Sequence, residues 1–424
     1  MREVGAGADM NMDVVIVGGG AVGASLALAL ARLDYRVALI ELRSPQFGSS
    51  DPERVIALNY GSRVHLERLG VWDAIVAGGV GRIRHITVSE AGQRGRVELD
   101  AADAGQGIDG LGYVVEMGKL LAPIYAELPR AGVTVMTETV VEDFAIDAEK
   151  VVLTGRRGGA PFEVAARLLV AGDGTQSQMR RLAGIDTFGW DYNRFGIVAS
   201  VACAQGHRET AHECFRNSGP LAFLPLADDR YSIVWAAAPA EAAQLLQMDD
   251  GQFLHALQRA AGAQVIERTG ALLSVSKRAS YPLELTIAKQ FAKPRFALVG
   301  NALHTIHPVA GQGMNLGFRD VDALLEVLAG DLARRDPGAT ILMQGYAEKR
   351  RVDLAAVAGF TESMSHIFGS TLPGVKWLRG VGLRRLPQLP SLRDLLIQQA
   401  SGMAQMKRVG LRPSEQAGEV ADAS

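Results

Sequence analysis

The chain has 424 residues, with 44 lysines and arginines against 46 aspartates and glutamates, a formal net charge of -2. That length supplies two to three domains of ~100–200 residues, and the balanced charge excludes the chain-wide basic surface of a nucleic-acid binder. A hydrophobic share of 48% with 21% charged residues excludes a disordered chain, while 48 glycines exceed the usual ~7% and forecast close backbone approach to a ligand.

Residues 1–11 read as a disordered extension, with an alternative start at Met12. The uncharged run Val14 to Ala31 has the ~18-residue length that enters a membrane screen. Glu3, Asp9 and Asp13 before it carry the wrong sign for a secretory leader, and Gly18, Gly19 and Gly20 break the run. The run divides more naturally into a strand, Val14–Val17, a glycine turn and a helix with Val22, Leu26, Ala29, Leu30 and Leu33 on one face. A second strand spans Arg36 to Glu41. Gly18, Gly20 and Gly23 satisfy G-x-G-x-x-G. In that pattern one glycine permits the tight turn, one admits a pyrophosphate, and one lets helix and strand pack closely. The helix N-terminus faces phosphate, and Glu41 is placed to accept from ribose hydroxyls. This unit predicts dinucleotide binding and leaves FAD and a nicotinamide cofactor both open.

Further along, the short strand Leu168–Val170 runs into Asp173-Gly174, followed by Met179-Arg180-Arg181. Residues 197–215 alternate apolar and polar around a turn at Gln205 to Glu209, which predicts a hairpin with Cys203 and Cys214 facing inward. Cys203, His207, His212 and Cys214 could ligate zinc, but their spacing is not the paired arrangement of zinc sites, so no metal site is expected. With two cysteines, a disulfide framework is excluded and a reducing compartment fits. A third strand, Arg295 to Val299, enters Gly300-Asn301-Ala302-Leu303-His304, and the chain continues His307-Pro308-Val309-Ala310-Gly311-Gln312-Gly313-Met314-Asn315. A helix is predicted from Leu316 through Val321, Leu324, Leu325 and Leu328, its N-terminal turn offering positive dipole to an anionic ring. His304 and His307 read as structural, and Arg319-Asp320 as an ion pair or cap.

These last motifs carry a resemblance. The chain resembles the group A FAD-dependent aromatic hydroxylases of the para-hydroxybenzoate hydroxylase fold. Within them it is similar to the ubiquinone-biosynthesis hydroxylases, through Arg54-Val-Ile-Ala-Leu58 and His307 to Asp320. Gly219 to Pro225, Ser232 to Trp235 and Lys277 to Leu283 resemble most the 2-polyprenyl-6-methoxyphenol hydroxylases. The resemblance covers residues 12 to 400. It implies an α/β fold, a Rossmann-type FAD-binding domain with an inserted β-sheet substrate domain. Gly18, Gly20, Gly23 and Glu41 would hold the ADP half of FAD, Arg54 would lie by the flavin or pyrophosphate, and Asp173 would serve both FAD and the nicotinamide donor. Asn301 stands where the family usually has Asp, keeping a hydrogen-bonding amide but losing the charge. Pro308, Gly311, Gln312, Gly313, Met314 and Asn315 would meet the flavin. The activity implied is ring hydroxylation of a polyprenylated methoxyphenol with NAD(P)H and O2, through a flavin C4a-hydroperoxide. With a single glycine fingerprint, NAD(P)H would bind transiently. The same fold serves halogenases and prenyl-chain reductases, and a flavin-bearing assembly subunit of a ubiquinone-synthesis complex is a non-catalytic alternative. The catalytic base is left unassigned.

The FAD-binding domain is expected at 12–78, 112–182 and 290–360, and the substrate domain at 79–111 and 183–289. Phe223, Pro225, Trp235 and Tyr281 are candidates to line the substrate pocket. A basic helical segment follows at 361–412, with an acidic tail at 413–424. Residues 365–412 hold eight basic side chains against Asp394 alone, interleaved with leucines and Trp377. Such a segment suits peripheral contact with a membrane or a partner protein, or packing on its own FAD domain. The expected location is cytoplasmic, with peripheral contact at the inner membrane face.

Overall fold

The structure is a computed structural model describing residues 11–48, 54–90, 96–105, 107–216, 218–306, 311–369, 397–398 and 401–402. Expectations for residues 1–10, for His307 and Pro308, and for nearly all of 370–424 lie outside the described residues. Asn11, assigned above to the extension, already opens the first strand.

Three sheets organise the chain. The first has eight strands, in the order Ala292–Lys293, Phe296–Leu298, Ala160–Ala171, Asn11–Val17, Val37–Ile40 and Thr134–Met136, with Thr139–Ile146 and Val151–Arg157 as an antiparallel extension. The strand Asn11–Val17 runs parallel to both neighbours. Val14, Val15, Ile16 and Val17 are all buried because a parallel sheet is covered on both faces, which explains the continuous apolar run. Val14 and Ile16 pack with the helices Ala21–Ala31 and Gln312–Leu328 on one side. Val15 and Val17 meet Leu153, Phe296 and Leu298 on the other. The helix Ala21–Ala31 is apolar all round and almost entirely buried, as a helix in the middle of a large domain should be.

The second sheet has nine strands: His304–Thr305, Ala279–Ala288, Thr187–Cys203, Tyr231–Ala237, Leu221–Pro225, Thr210–Phe215, His85–Glu90 and Arg96–Asp100, with Leu272–Val275 also on Thr187–Cys203. The third joins Val55–Asn59, Gly112–Glu116 and Gly81–Ile83. Two short strands cross the expected domain limits. Gly81–Ile83 pairs with Gly112–Glu116, and His304–Thr305 joins the nine-stranded sheet.

The expected hairpin at 197–215 is not formed. Two strands, Tyr231–Ala237 and Leu221–Pro225, lie between Thr187–Cys203 and Thr210–Phe215. Strand order is set by packing that local alternation does not encode. The cysteines do turn inward: Cys214 is buried and Cys203 packs against the same cluster. Burial pushes the His212 ring down to about 4, with Arg268 adding to the effect. Among the described residues no three metal-capable side chains gather, and no helix is long and apolar enough to cross a membrane.

Candidate flavin site

The glycine turn is built by contact rather than by flexibility. Gly18 has φ +109°, and a side-chain carbon there would lie 2.4 Å from the Gly172 carbonyl oxygen. Its amide donates to the Ile40 carbonyl at 2.8 Å, and the Gly172 amide donates to the Val17 carbonyl at 2.7 Å. A carbon on Gly23 would fall 2.0 Å from the Gly18 oxygen. Gly20 differs: nothing lies within 4 Å of where its side chain would be, and the same holds at Gly174 and Gly313. Two glycines therefore knit strand to helix, while three others open onto space. Neither Gly20 nor Gly311, the residues preceding the two helices, offers a side-chain cap, and a helix start without one suits an anion.

The three segments converge. Val22 in the first helix touches both Gly300 and Gly317, where an added carbon would sit 2.5 Å from its Cγ2. Gly311 has φ +62° and lies against Ala57. Asn315 is buried and spends its whole amide on protein. Its Oδ1 accepts from the Asn59 amide (2.9 Å) and the Ser62 hydroxyl (2.6 Å), and its Nδ2 donates to the carbonyls of Ala57 (3.0 Å) and Gly311 (2.8 Å). It clamps the turn, and any contact it makes with a ligand would come from its backbone. The helix begins at Gln312, one turn before the predicted Leu316. Gln312 and Asn315 mask the start from a hydrophobic-periodicity reading because the first turn is polar.

The remaining expected residues fall around this trough. The Glu41 carboxylate accepts from the Gly19 amide at 2.5 Å and from the Arg43 amide at 3.2 Å, and the Tyr125 hydroxyl donates to the Gly19 carbonyl at 2.8 Å. Asp173 accepts from the Ser177 hydroxyl (2.5 Å) and the Met179 amide (3.0 Å). Asn301 is exposed, with Nδ2 3.4 Å from the Thr175 hydroxyl. Gln312, Gly313 and Met314 are half-buried at the helix start. Arg54 is exposed at the head of the strand Val55–Asn59, close enough to Tyr281 to pull its phenol down against the stronger upward push of burial.

Two buried groups tie the turns of the site together; the sequence reading left Arg180 without a role and took Asp320 as part of an ion pair or cap. Arg180 donates to the carbonyls of Ala302 (2.7 Å) and Thr175 (2.9 Å), tying the Asp173-Gly174 turn to the Gly300 turn. Asp320 is fully buried and accepts from the Gly300 amide (2.7 Å), His304 Nε2 (2.8 Å) and Arg350 Nε (2.6 Å). Burial pushes its carboxyl up, but His304 and Arg350 pull harder and hold it below the ordinary value. The sequence offered Arg319 as partner, whereas Arg319 pairs with Asp353 at 2.9 Å. His304 is structural, as expected.

The substrate candidates divide by face. Along the strands of the nine-stranded sheet, Ile197, Trp235 and Leu221 share one side, as do Ala199, Ile233 and Phe223. This side packs on the helices Pro239–Gln247 and Asp250–Ala261. Trp235 meets Phe253 with ring centroids 5.9 Å apart and planes tilted by 51°, beneath the Arg216 guanidinium. Phe223 is 0% and Trp235 2% exposed, so neither lines a pocket on the trough side. Pro225, in register with Tyr231, is buried on the same helix-facing side. The alternation was read correctly but in the wrong phase, and a shift of one residue exchanges the faces. Tyr281, 37% exposed, lies over Gly196 on the other side. That other side meets the three-stranded sheet through Ala211, Leu224, Ile83 and Val114.

The comparisons agree with this geometry. Residues 11–361 match the FAD binding domain family. The chain is 32% identical to the 3-demethoxyubiquinol 3-hydroxylase of Escherichia coli, over 92% of this chain and 98% of that one. It is 34% identical to the ubiquinone hydroxylase UbiL of Rhodospirillum rubrum, over 93% and 90%. Among solved structures, p-nitrophenol 4-monooxygenase PnpA from Pseudomonas putida has the same fold, with a TM-score of 0.76 at 18% identity over 96% of this chain and all of that one. The trough with its open glycines and uncapped helix starts fits an FAD, and the chain belongs to the FAD-dependent monooxygenases of the ubiquinone-biosynthesis hydroxylase family.

Proposed function

We propose that this monooxygenase hydroxylates the ring of a polyprenylated methoxyphenol, using NAD(P)H as a transient electron donor. The observation that carries the reading is a half-buried, largely apolar sheet face that packs on the three-stranded sheet, whose strand Val55–Asn59 adjoins Gly311 and Asn315, a setting suited to a flat aromatic ring with an apolar tail. The relatives' names, which concern demethoxyubiquinol and ubiquinone, support the substrate class.

In this reading Gly18, Gly20, Gly23 and Glu41 hold the ADP half of FAD. Asp173 and Asn301 flank the pyrophosphate and ribityl region, Gly311 to Asn315 present backbone to the ring system, and Arg54 sits at the flavin edge beside Tyr281. FAD when bound supplies electron transfer from NAD(P)H to O2 and delivery of one oxygen atom. The protein's share is to orient the phenol, exclude water and offer amide dipoles to developing negative charge at the Gly311–Gln312 helix start. The domain limits given above, 12–78, 112–182 and 290–360 around 79–111 and 183–289, follow this division of labour apart from the strands Gly81–Ile83 and His304–Thr305, which pair across them. Ile397 packs with Val97, Leu99 and Phe215, and Gly402 abuts the Asn59 side chain. Residues 397–398 and 401–402, the described residues of the basic segment beyond its first turns, therefore lie against the body of the protein, which favours self-packing for them. Peripheral membrane contact through the rest of 365–412 is a second proposal, tested by flotation of the full chain and a truncation at residue 364 with anionic liposomes.

The test of function uses purified holoprotein with 2-methoxy-6-prenylphenol bearing one isoprene unit. Phenol-dependent NAD(P)H oxidation with a hydroxylated product is expected. Flavin binding without phenol-dependent turnover would favour an assembly role instead.

A further inference from the structure

One transverse row of the nine-stranded sheet reads Val198, Val234, Ala222, Glu213, Val88 across five adjacent strands. All five are half-buried. Their strand neighbours Ile197, Trp235, Leu221 and Cys214 are closed against the helices on the opposite face. The row thus turns away from those helices, onto the face that meets the three-stranded sheet, and a lone carboxylate interrupts four apolar side chains.

Its surroundings face the flavin elements. Ala211, two residues earlier on the same face, packs with Ile83 and Val114 of the three-stranded sheet. That sheet's strand Val55–Asn59 carries Ala57 against Gly311 and Asn59 against Asn315. Among the described residues no hydrogen bond or ion pair reaches the Glu213 carboxylate, and protein surrounding it pushes its carboxyl up to about 7. Among the described residues no polar contact offsets the cost of holding an unpaired carboxylate in such a place. The nearest ionisable residue along this face is Glu90, level with Phe215 and partnered elsewhere. Cys214 on the same strand turns to the helices. Tyr281 and Arg54 stand across the sheet, and no charged group contributes to the shift at Glu213.

We propose that Glu213 is the proton acceptor for the substrate's phenol hydroxyl, an assignment that rests on the hydroxylase reading above. The phenol O–H bond breaks, its proton passes to a Glu213 oxygen, and the electron pair left behind enriches the ring. The ring carbon then bonds one oxygen atom derived from O2. Loss of the ring proton restores aromaticity, and Glu213 returns its proton to the product oxygen. O2 takes two electrons from the ring and two from NAD(P)H, and its second atom leaves as water. A carboxylate that titrates near neutrality matches this task, since a base is most effective when its pKa lies near the working pH.

The test compares holoenzyme of the wild type, Glu213→Gln and Glu213→Asp, with 2-methoxy-6-prenylphenol and ring-fluorinated analogues of lower phenol pKa. In the wild type, kcat/KM should fall tenfold per pH unit below about 7. In Glu213→Gln it should drop ~100- to 1000-fold at neutral pH, with the acid limb moved toward ~10, where a free phenol ionises. The fluorinated analogues should recover much of that loss, and Glu213→Asp should retain the wild-type limb. Flavin absorbance and probe dissociation constants confirm that the variants are folded. A Glu213→Gln enzyme with the wild-type profile would overturn the assignment, as would one equally slow on every phenol with an unmoved limb. A wild type with no phenol-dependent turnover would bring down the hydroxylase reading, and the assignment with it.

Discussion

The two large sheets build their halves of the proposed site by different means. In the eight-stranded sheet the site is made of backbone: Gly18 and Gly23 are pressed against carbonyl oxygens, and Gly20, Gly174 and Gly313 leave room. In the nine-stranded sheet it is made of side chains, one face closed by helices and the other half-open. The backbone half tolerates no added atom at Gly18 or Gly23, whereas a side-chain site is defined by which of two alternating faces is left uncovered.

The sharpest break in that contrast is Gly18→Ala. An added carbon 2.4 Å from the Gly172 oxygen at φ +109° has nowhere to go, and the purified protein should carry almost no flavin by absorbance. Next comes Asp320→Ala. It leaves the Arg350 guanidinium to Asp353 alone and frees the Gly300 turn, and removing one partner of a buried pair costs about 3–5 kcal/mol, read by denaturant unfolding of the holoprotein. Trp235→Ala, on the closed face, should cost about 3 kcal/mol with an unchanged KM for the phenol. Val234→Phe, one residue away on the open face, should do the reverse: a severalfold higher KM with little change in unfolding midpoint. If Trp235→Ala raises KM and Val234→Phe does not, the faces are assigned backwards.

The smallest effect is a pH dependence of stability. Glu213 is lifted from its ordinary 4.5 to about 7, so between those values the folded state binds more protons than the unfolded chain. Its contribution to stability is therefore lost as pH rises through that window. The melting temperature of the wild type should decline from about pH 5 to pH 8 relative to Glu213→Gln, and parallel curves would contradict the lifted carboxyl.

Much of the eight-stranded half was legible in the sequence because glycine reports its own constraint: G-x-G-x-x-G at 18–23 names both a turn and a close approach. The strands Val14–Val17, Leu168–Val170 and, after Arg295, Phe296–Val299 were visible as apolar runs, since both faces of a parallel sheet are covered. The helix Gln312–Leu328 was visible except for its polar first turn. The nine-stranded half was less legible. Alternation at 221–225 and 231–237 announced strands without saying which phase met the helices, so Phe223, Pro225 and Trp235 were assigned to the wrong side. The signal that could have found Glu213 is its position between Ala211 and Phe215, an acid on an otherwise apolar face of its strand. Arg180 and the His304–Asp320–Arg350 network were hidden because their partners are remote in sequence, up to 122 residues apart for Arg180 and Ala302.

One measurement bears on the whole account: turnover of the holoenzyme with 2-methoxy-6-prenylphenol under isotopically heavy O2, with the product weighed by mass spectrometry. One heavy oxygen in the ring for each NAD(P)H consumed is the predicted result. NAD(P)H oxidation that yields peroxide and leaves the phenol unlabelled, under conditions where the phenol is bound, would contradict it.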